Sequence, residues 1–173
     1  IGQIVSSDQT FNEAVQAVRD KNFQHAVKLF RLQAENDQHD AQFNLALLLE
    51  AGKGSPQNFA DALTWAWSAK LGGIESAGEL AQDLVKHLPE KSLQSVREQV
   101  LGRLKSRIDN GQVNAIPQIA TFHLDMLEEP DYETAYIWYS ISVAFGLKSS
   151  LEARDEARQN IEEYKIIDLQ HKS

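Results

Sequence analysis

The chain has 173 residues, of which 42% are hydrophobic, and its formal net charge is −8. A chain of this length buries roughly 70% of the surface that its unfolded form exposes, so the composition indicates one folded domain and excludes a disordered protein. The absence of cysteine excludes disulfides and thiolate metal sites, and 25 acidic against 17 basic residues argue against a chain built to bind nucleic acid. No apolar run approaches the ~18 residues that a membrane-spanning helix needs.

The sequence is similar to itself at two shifts. A shift of 36 residues places Phe23 on Phe59, and a shift of 73 residues places Trp65 on Trp138. Because the two shifts stand in a ratio near 1:2, the sequence predicts a tandem array of repeated units.

The apolar residues within each unit recur with helical spacing. Ala41, Leu45, Leu48 and Leu49 stand at i, i+4, i+7 and i+8, and no segment of similar length alternates with a period of two. The sequence therefore predicts an all-α protein. Nine helices are expected at 10–20, 23–36, 41–51, 59–71, 75–88, 91–109, 115–128, 132–145 and 150–169.

Two of the predicted helices, 91–109 and 150–169, are long. Each carries a single apolar stripe: Leu93, Val96, Val100, Leu104 and Ile108 in the first, and Ala153, Ala157, Ile161 and Tyr164 in the second. We expect these two helices to bridge or close parts of the array by covering an otherwise open end. The chain is expected to form one domain over 1–173, with an N-terminal part at 8–110 and a smaller C-terminal part at 114–173.

Residues suited to capping stand at the predicted helix ends. Three of them are expected to act as N-caps before periodic runs: Asp40, Asn58 and Asp131. Four glycines follow such runs, where a left-handed C-terminal residue is expected: Gly52, Gly73, Gly111 and Gly146. Ser149 and Glu152 have the spacing of a capping box.

The best-formed unit resembles a known repeat. Its residues are the run Ala41-Gln42-Phe43-Asn44-Leu45-Ala46, the loop Gly52-Lys53-Gly54 with Pro56-Gln57, and then Ala62, Trp65, Ala69 and Gly73. These residues resemble the Sel1-like repeat, a relative of the tetratricopeptide repeat. The resemblance implies helix-turn-helix units stacked into an α-α superhelix, and it implies no single biochemical activity.

Two further units match the repeat less well. The unit at 23–40 has Leu29 where the aromatic residue is expected, and the unit at 115–150 has residues 127–130 in place of the glycine-rich loop. The resemblance covers about two thirds of the chain.

Local motifs for catalysis or for cofactor binding are missing from the sequence. The step Gly52-Lys53-Gly54 lacks the preceding glycine and the following Ser or Thr that a phosphate-binding loop requires, so we interpret it as a turn. The five histidines have no second histidine at i+3 or i+4 that would form a metal site on one helical face. We therefore expect no catalytic residue, no metal and no cofactor.

Aromatic and amide residues outside the repeat pattern are the candidates for partner binding. Trp67 follows Trp65 by two residues, or about 200° around a helix, so the two rings cannot share one groove. The first helix of a stacked pair usually lines the concave surface, which adds residues from 41–51 and 115–128 to the candidates. The candidates are Gln42, Phe43, Asn44, Trp67, His123, Met126, Tyr136 and Tyr139. Packing against a neighbouring unit is the alternative explanation for each aromatic residue.

The acidic residues are concentrated late in the chain. Five of them lie between Asp125 and Glu133 without a basic residue among them. The segment is either a hydrated surface or a surface that is complementary to a basic partner or to a second copy of the chain.

These observations favour a non-enzymatic protein-interaction scaffold that binds a peptide or a partner protein in a concave groove. The alternatives are a self-associating assembly element, which would use Trp67 or the stripe of a long helix, and a hydrolase or binder of cell-wall fragments. The resemblance to bacterial Sel1-like proteins implies a periplasmic or secreted protein, with a cytoplasmic one as the alternative. Since the chain begins at Ile1 without a methionine, we expect that an upstream segment has been removed.

Overall fold

A computed structural model describes residues 7–173, and the start of the predicted domain, residues 1–6, lies outside the described part. Within residues 7–173 the chain forms ten α-helices and no strand, which confirms the all-α prediction. The helices are α1 (Ser7–Arg19), α2 (Phe23–Glu35), α3 (His39–Ala51), α4 (Phe59–Leu71), α5 (Ser76–Val85), α6 (Glu90–Asp109), α7 (Ala115–Asp125), α8 (Tyr132–Ala144), α9 (Ser150–Arg158) and α10 (Glu163–Lys172).

The prediction of one long helix at 150–169 is wrong, because the chain turns between α9 and α10. In a straight helix Ala157 and Leu169 would lie about 18 Å apart, at 1.5 Å per residue. Both side chains instead belong to one buried cluster, which also contains Ile161 and Ile166. The turn at 159–162 brings them together, so Tyr164, which was expected on the same stripe, is 75% exposed.

The described residues form two compact units, and the boundary between Val96 and Arg97 falls within α6. In the first unit each helix packs against the next along the chain, from α1 to α5. Its largest fully buried side chains come from α2, α3, α4 and α5: Phe30, Leu45, Leu49, Leu63 and Leu84. Burial of one stripe from each helix is the physical basis of this stack.

Side chains also link helices that are not adjacent in the chain. Arg31 of α2 donates to Asp61 of α4 over 2.9 Å, with both side chains about one third exposed. The ion pair joins two equivalent helices of the repeat, because the shift of 36 residues places Phe23 at the start of α2 on Phe59 at the start of α4.

In the second unit α8 lies at the centre. It packs against α7, α9 and α10. The buried cluster around α8 includes Ala120 of α7, Ala157 of α9 and Leu169 of α10. The stripe of α6 is also buried, at Leu93 and Val96 in the first unit and at Val100 and Leu104 in the second.

Two of the three predicted N-caps are confirmed. The side chains of Asn58 and Asp131 accept hydrogen bonds of 3.0 Å from the backbone N–H groups of Asp61 and Thr134. The Asp40 prediction is wrong, because α3 begins at His39, two residues earlier than predicted, and places Asp40 in the first turn.

The prediction of a capping box at Ser149 is also wrong. Ser149 has helical backbone angles, and its side chain makes no capping bond. The next residue carries the polar contact instead, since the buried hydroxyls of Ser150 and Ser142 lie 2.8 Å apart. These two hydroxyls connect the start of α9 to α8.

The loop between α3 and α4 closes tightly against the turn between α1 and α2. Gly52 is left-handed (φ +65°) and caps α3, as the sequence predicts. Gly54 also has a positive φ of +78°, and its Cα lies so close to the backbone of Phe23 that no side chain fits between them. The structure thus confirms that the Gly52-Lys53-Gly54 step is a turn. The other glycines predicted at helix ends, Gly73, Gly111 and Gly146, have positive φ as well.

Among residues 7–173, none of the helices combines the length and the apolar character that crossing a bilayer requires.

Candidate functional site

Helix α3 is buried over somewhat less than half of its circumference. Its buried residues face α2 and α4: Ala41, Gln42, Leu45, Ala46, Leu48 and Leu49. At 100° per residue these six positions span about 160° around the helix. The remaining sector contacts solvent and is the candidate site.

We call this sector the open face of α3. It consists of Asp40, Phe43, Asn44, Leu47, Glu50 and Ala51, all of them partly or fully exposed. Leu47 is 39% exposed although it is a large apolar residue. Phe43 lies one helical turn before it and is also partly exposed, so the two form a short apolar strip.

The charges on the open face are all negative. Asp40 and Glu50 lie at its two ends, and α3 contains neither lysine nor arginine. One carboxylate oxygen of Asp40 accepts a 2.8 Å hydrogen bond from the backbone N–H of Ala41. The Nδ2 of Asn44 donates to the carbonyl oxygen of Asp40 over 2.8 Å, which fixes the amide plane beside the apolar strip.

Gln42, the third candidate on α3, does not lie on the open face. It is 1% exposed, and its Nε2 donates to the carbonyl oxygen of Ala34 over 3.1 Å. Its Oε1 lies 2.8 Å from the Nδ1 of His39. Gln42 therefore connects the end of α2 to the start of α3. The expectation that Gln42 faces a partner is wrong, because its side chain is buried.

The interpretation of the Trp65 and Trp67 pair needs the same correction. The 200° separation is real, but both rings are buried, at 5% and 8% exposure. Helix α4 is buried nearly all round, from Ala62 through Ala69. Both faces of this helix are therefore core faces, so neither ring is left for a partner.

Three candidates of the second unit are core residues as well. Tyr136 and Tyr139 are 4% and 5% exposed and belong to the cluster around α8. The Tyr139 hydroxyl lies 2.8 Å from the Thr121 hydroxyl on α7, and burial raises the pKa of this tyrosine. Met126 is 4% exposed, and its carbonyl oxygen accepts from the Nε of Arg97 over 2.8 Å.

His123 is partly exposed, but its Nδ1 is buried and has no hydrogen-bond partner within residues 7–173. Burial lowers the pKa of the imidazole, the nearby carboxylate of Asp131 opposes this shift, and Lys105 adds to it. The backbone carbonyl of His123 accepts from the N–H of Asp131 over 2.9 Å and so holds the loop after α7. The imidazole ring packs edge to face against the ring of Phe122.

A shallow groove of about 560 Å³ lies where the α1–α2 turn meets the α3–α4 loop. Its lining includes Lys21, Phe23, Gln24 and Pro56. The Nζ of Lys53 lies 5.3 Å from the centre of the Phe23 ring, within the range of a cation–π contact. The groove is thus the place where two turns of the first unit pack together, through this contact and the close approach of Gly54 to Phe23.

Sequence reasoning missed Leu47, Asp40 and Glu50. The signal was available, since Asp40, Asn44, Leu47 and Ala51 stand at i, i+4, i+7 and i+11, opposite the apolar stripe that starts at Ala41. A leucine on the polar side of an amphipathic helix is the feature that marks the open face.

Groups of three or more His, Asp or Glu side chains that could hold a metal ion do not occur in the part of the chain that the structure describes.

The sequence matches no protein-family model and no curated protein. Among solved structures it is similar to a Sel1 repeat protein from Oxalobacter formigenes, with 23% identity and a TM-score of 0.44 over 80% of this chain and 58% of that chain. It is also similar to a protective antigen of uropathogenic Escherichia coli strains that displays an SLR fold, with 15% identity and a TM-score of 0.40 over 98% of this chain. A Sel1 repeat protein is thus among the known structures that this chain resembles. The chain spans 58% and 45% of the lengths of these two structures.

Proposed function

We propose that this chain is a non-enzymatic protein-interaction scaffold that binds a peptide or a partner protein on the open face of α3. The observation that carries the proposal is the apolar strip of Phe43 and Leu47, which stays accessible on a helix whose other apolar residues are mostly buried. A partner that covers this strip removes its apolar surface from water, and this burial stabilises the complex by roughly 25 cal/mol for each Å² of apolar surface buried.

The position of α3 in its repeat supports the same site. Helix α3 is the first helix of the pair α3–α4, and in stacked helical pairs the first helix usually lines the concave surface. The proposed groove is therefore the concave side of the first unit. Since Asp40 and Glu50 are its charged residues, the expected partner carries basic side chains.

The test is affinity capture from an extract of the source organism, with the partner identified and its affinity then measured with purified protein. A double variant, Phe43→Ala with Leu47→Ala, should weaken binding about 10- to 30-fold, since truncation of central apolar contacts removes about 1.4–2 kcal/mol. Leu32→Ala is the matched control, because Leu32 is 56% exposed on α2 and lies outside the open face.

Circular dichroism must first show that the variants are folded. Equal affinity of the double variant and of the wild type would show that the partner binds elsewhere. Turnover of a substrate that is lost in a single-site variant would contradict the non-enzymatic part of the proposal.

The proposed location is the bacterial periplasm or the extracellular space, as the resemblance to bacterial Sel1-like proteins implies. Fractionation of cells that express the natural gene tests it, and recovery of the protein with cytoplasmic markers would contradict it.

A further inference from the structure

From the spacing of four side chains on α3 we infer what kind of segment the open face selects: an extended peptide with the pattern basic-x-apolar-x-apolar-x-basic. The inference rests on the proposed function and adds to it the conformation and the residue register of the partner.

The four side chains lie nearly in one line along the helix. At 100° per residue Asp40, Phe43, Leu47 and Glu50 fall within a sector of about 80°. At a rise of 1.5 Å per residue, Phe43 and Leu47 lie about 6 Å apart along the axis, and each lies about 4.5 Å from its neighbouring carboxylate residue. The line is acidic at both ends and apolar in the middle over about 15 Å.

An extended chain matches the apolar spacing. Its side chains alternate between two sides at about 3.3 Å per residue, so residues i and i+2 point the same way about 6.6 Å apart. Two apolar side chains at this spacing meet Phe43 and Leu47 together. The next side chains on the same side lie about 2 to 3 Å beyond Asp40 and Glu50, which is within the reach of a lysine or an arginine.

The carboxylates favour cations at these outer positions. Glu50 has no ion pair with a lysine or arginine within residues 7–173, and Asp40 uses one of its oxygens for the N–H of Ala41. Basic side chains that pair with Asp40 and Glu50 fix the register of a bound segment. A segment with acidic side chains at these positions binds more weakly, because like charges brought together on a surface repel.

A side-chain acceptor beside the strip, the amide oxygen of Asn44, favours an extended segment over a helical one. The Nδ2 of Asn44 is bonded to the Asp40 carbonyl, which leaves Oδ1 as an acceptor without a partner in the described residues. An extended peptide has backbone N–H groups that can donate to this oxygen, whereas the N–H groups of a helix are bonded within the helix itself.

The experiment compares synthetic peptides by fluorescence anisotropy with the full chain at low ionic strength. The matched peptide is Lys-Ser-Leu-Thr-Leu-Ser-Lys. The register control, Lys-Leu-Ser-Thr-Leu-Ser-Lys, has the same composition but places its two leucines on opposite sides of an extended chain. A third peptide has glutamate at both ends, and a fourth carries Lys, Leu, Leu and Lys at helical spacings of three, four and three residues.

The matched peptide should bind about tenfold more tightly than the register control, and the glutamate peptide should not bind at the same concentrations. Asp40→Asn with Glu50→Gln should weaken the matched peptide about 3- to 10-fold and flatten its dependence on salt. Leu32→Ala should leave the affinity unchanged.

Equal affinity for the matched and the register peptides would overturn the inference, and so would tighter binding of the helical peptide or no binding of the matched one. The proposed function is tested separately by capture of the natural partner. If that capture depends on Phe43 and Leu47 while the peptides show no preference, the register is wrong and the open face remains the binding site.

Discussion

Replacement of Gly54 by alanine should destabilise the first unit more than replacement of a glycine that has free space around it. Gly54 has a φ of +78°, and a Cβ at this position would lie 2.9 Å from the backbone nitrogen of Gln24 and closer still to the carbonyl of Phe23. The positive φ alone destabilises an L-residue by about 1–2 kcal/mol. The clash with rigid backbone adds about 1–3 kcal/mol, as overpacking does elsewhere, so the total loss is about 2–5 kcal/mol.

Gly73→Ala is the control, because Gly73 has a φ of +102° in the same unit and a Cβ added there would meet no atom within 4 Å. It should lower the free energy of unfolding by only about 1–2 kcal/mol. Urea unfolding followed by circular dichroism gives both values by linear extrapolation. Equal losses in the two variants would show that the α3–α4 loop does not press against Phe23 in solution.

The remaining predictions use the same unfolding assay. Leu45→Ala should lower the free energy of unfolding by about 2–5 kcal/mol because Leu45 is fully buried. Leu47→Ala should lower it by less than about 1 kcal/mol because Leu47 is exposed. Similar losses in the two variants would contradict the assignment of Leu47 to the open face. Asn58→Ala should lower it by about 1 kcal/mol through loss of the N-cap of α4, and no change would mean that the cap is not formed. Because burial lowers the pKa of His123 below its ordinary value of 6.5, the unfolded state binds the proton first as the pH falls through that value. Wild-type stability should therefore decrease from pH 7 to pH 5 more than that of His123→Gln, and parallel profiles would show that this imidazole is not buried.

The sequence predicted the helices well where a unit carries complete signals. Helix α4 has an asparagine N-cap and terminal glycines, and its observed range of Phe59–Leu71 equals the predicted 59–71. The stripe of α6 was predicted correctly in the same way, since four of its five apolar residues are buried.

The prediction failed where a helical period continued through a turn. Residues 150–169 keep a helical period of small and apolar residues, so periodicity alone could not locate the break at 159–162. The break depends on a tertiary requirement, because Ile161 and Leu169 must enter the cluster around α8. A pattern within one helix carries no information about that requirement.

The candidate site was harder to predict than the fold because the packing of the assembled helices decides which aromatic side chains remain accessible. Helix α8 packs against three helices, and its two candidate tyrosines are buried. Helices α3 and α4 each pack extensively against two neighbours, yet α4 is buried nearly all round with both of its tryptophans, whereas Phe43 and Leu47 lie outside the buried sector of α3 and stay accessible. A sequence shows that a residue is aromatic, but the part of each helix surface that its neighbours cover follows from the assembled units. This coverage, more than residue type, separates the open face of α3 from the other candidates.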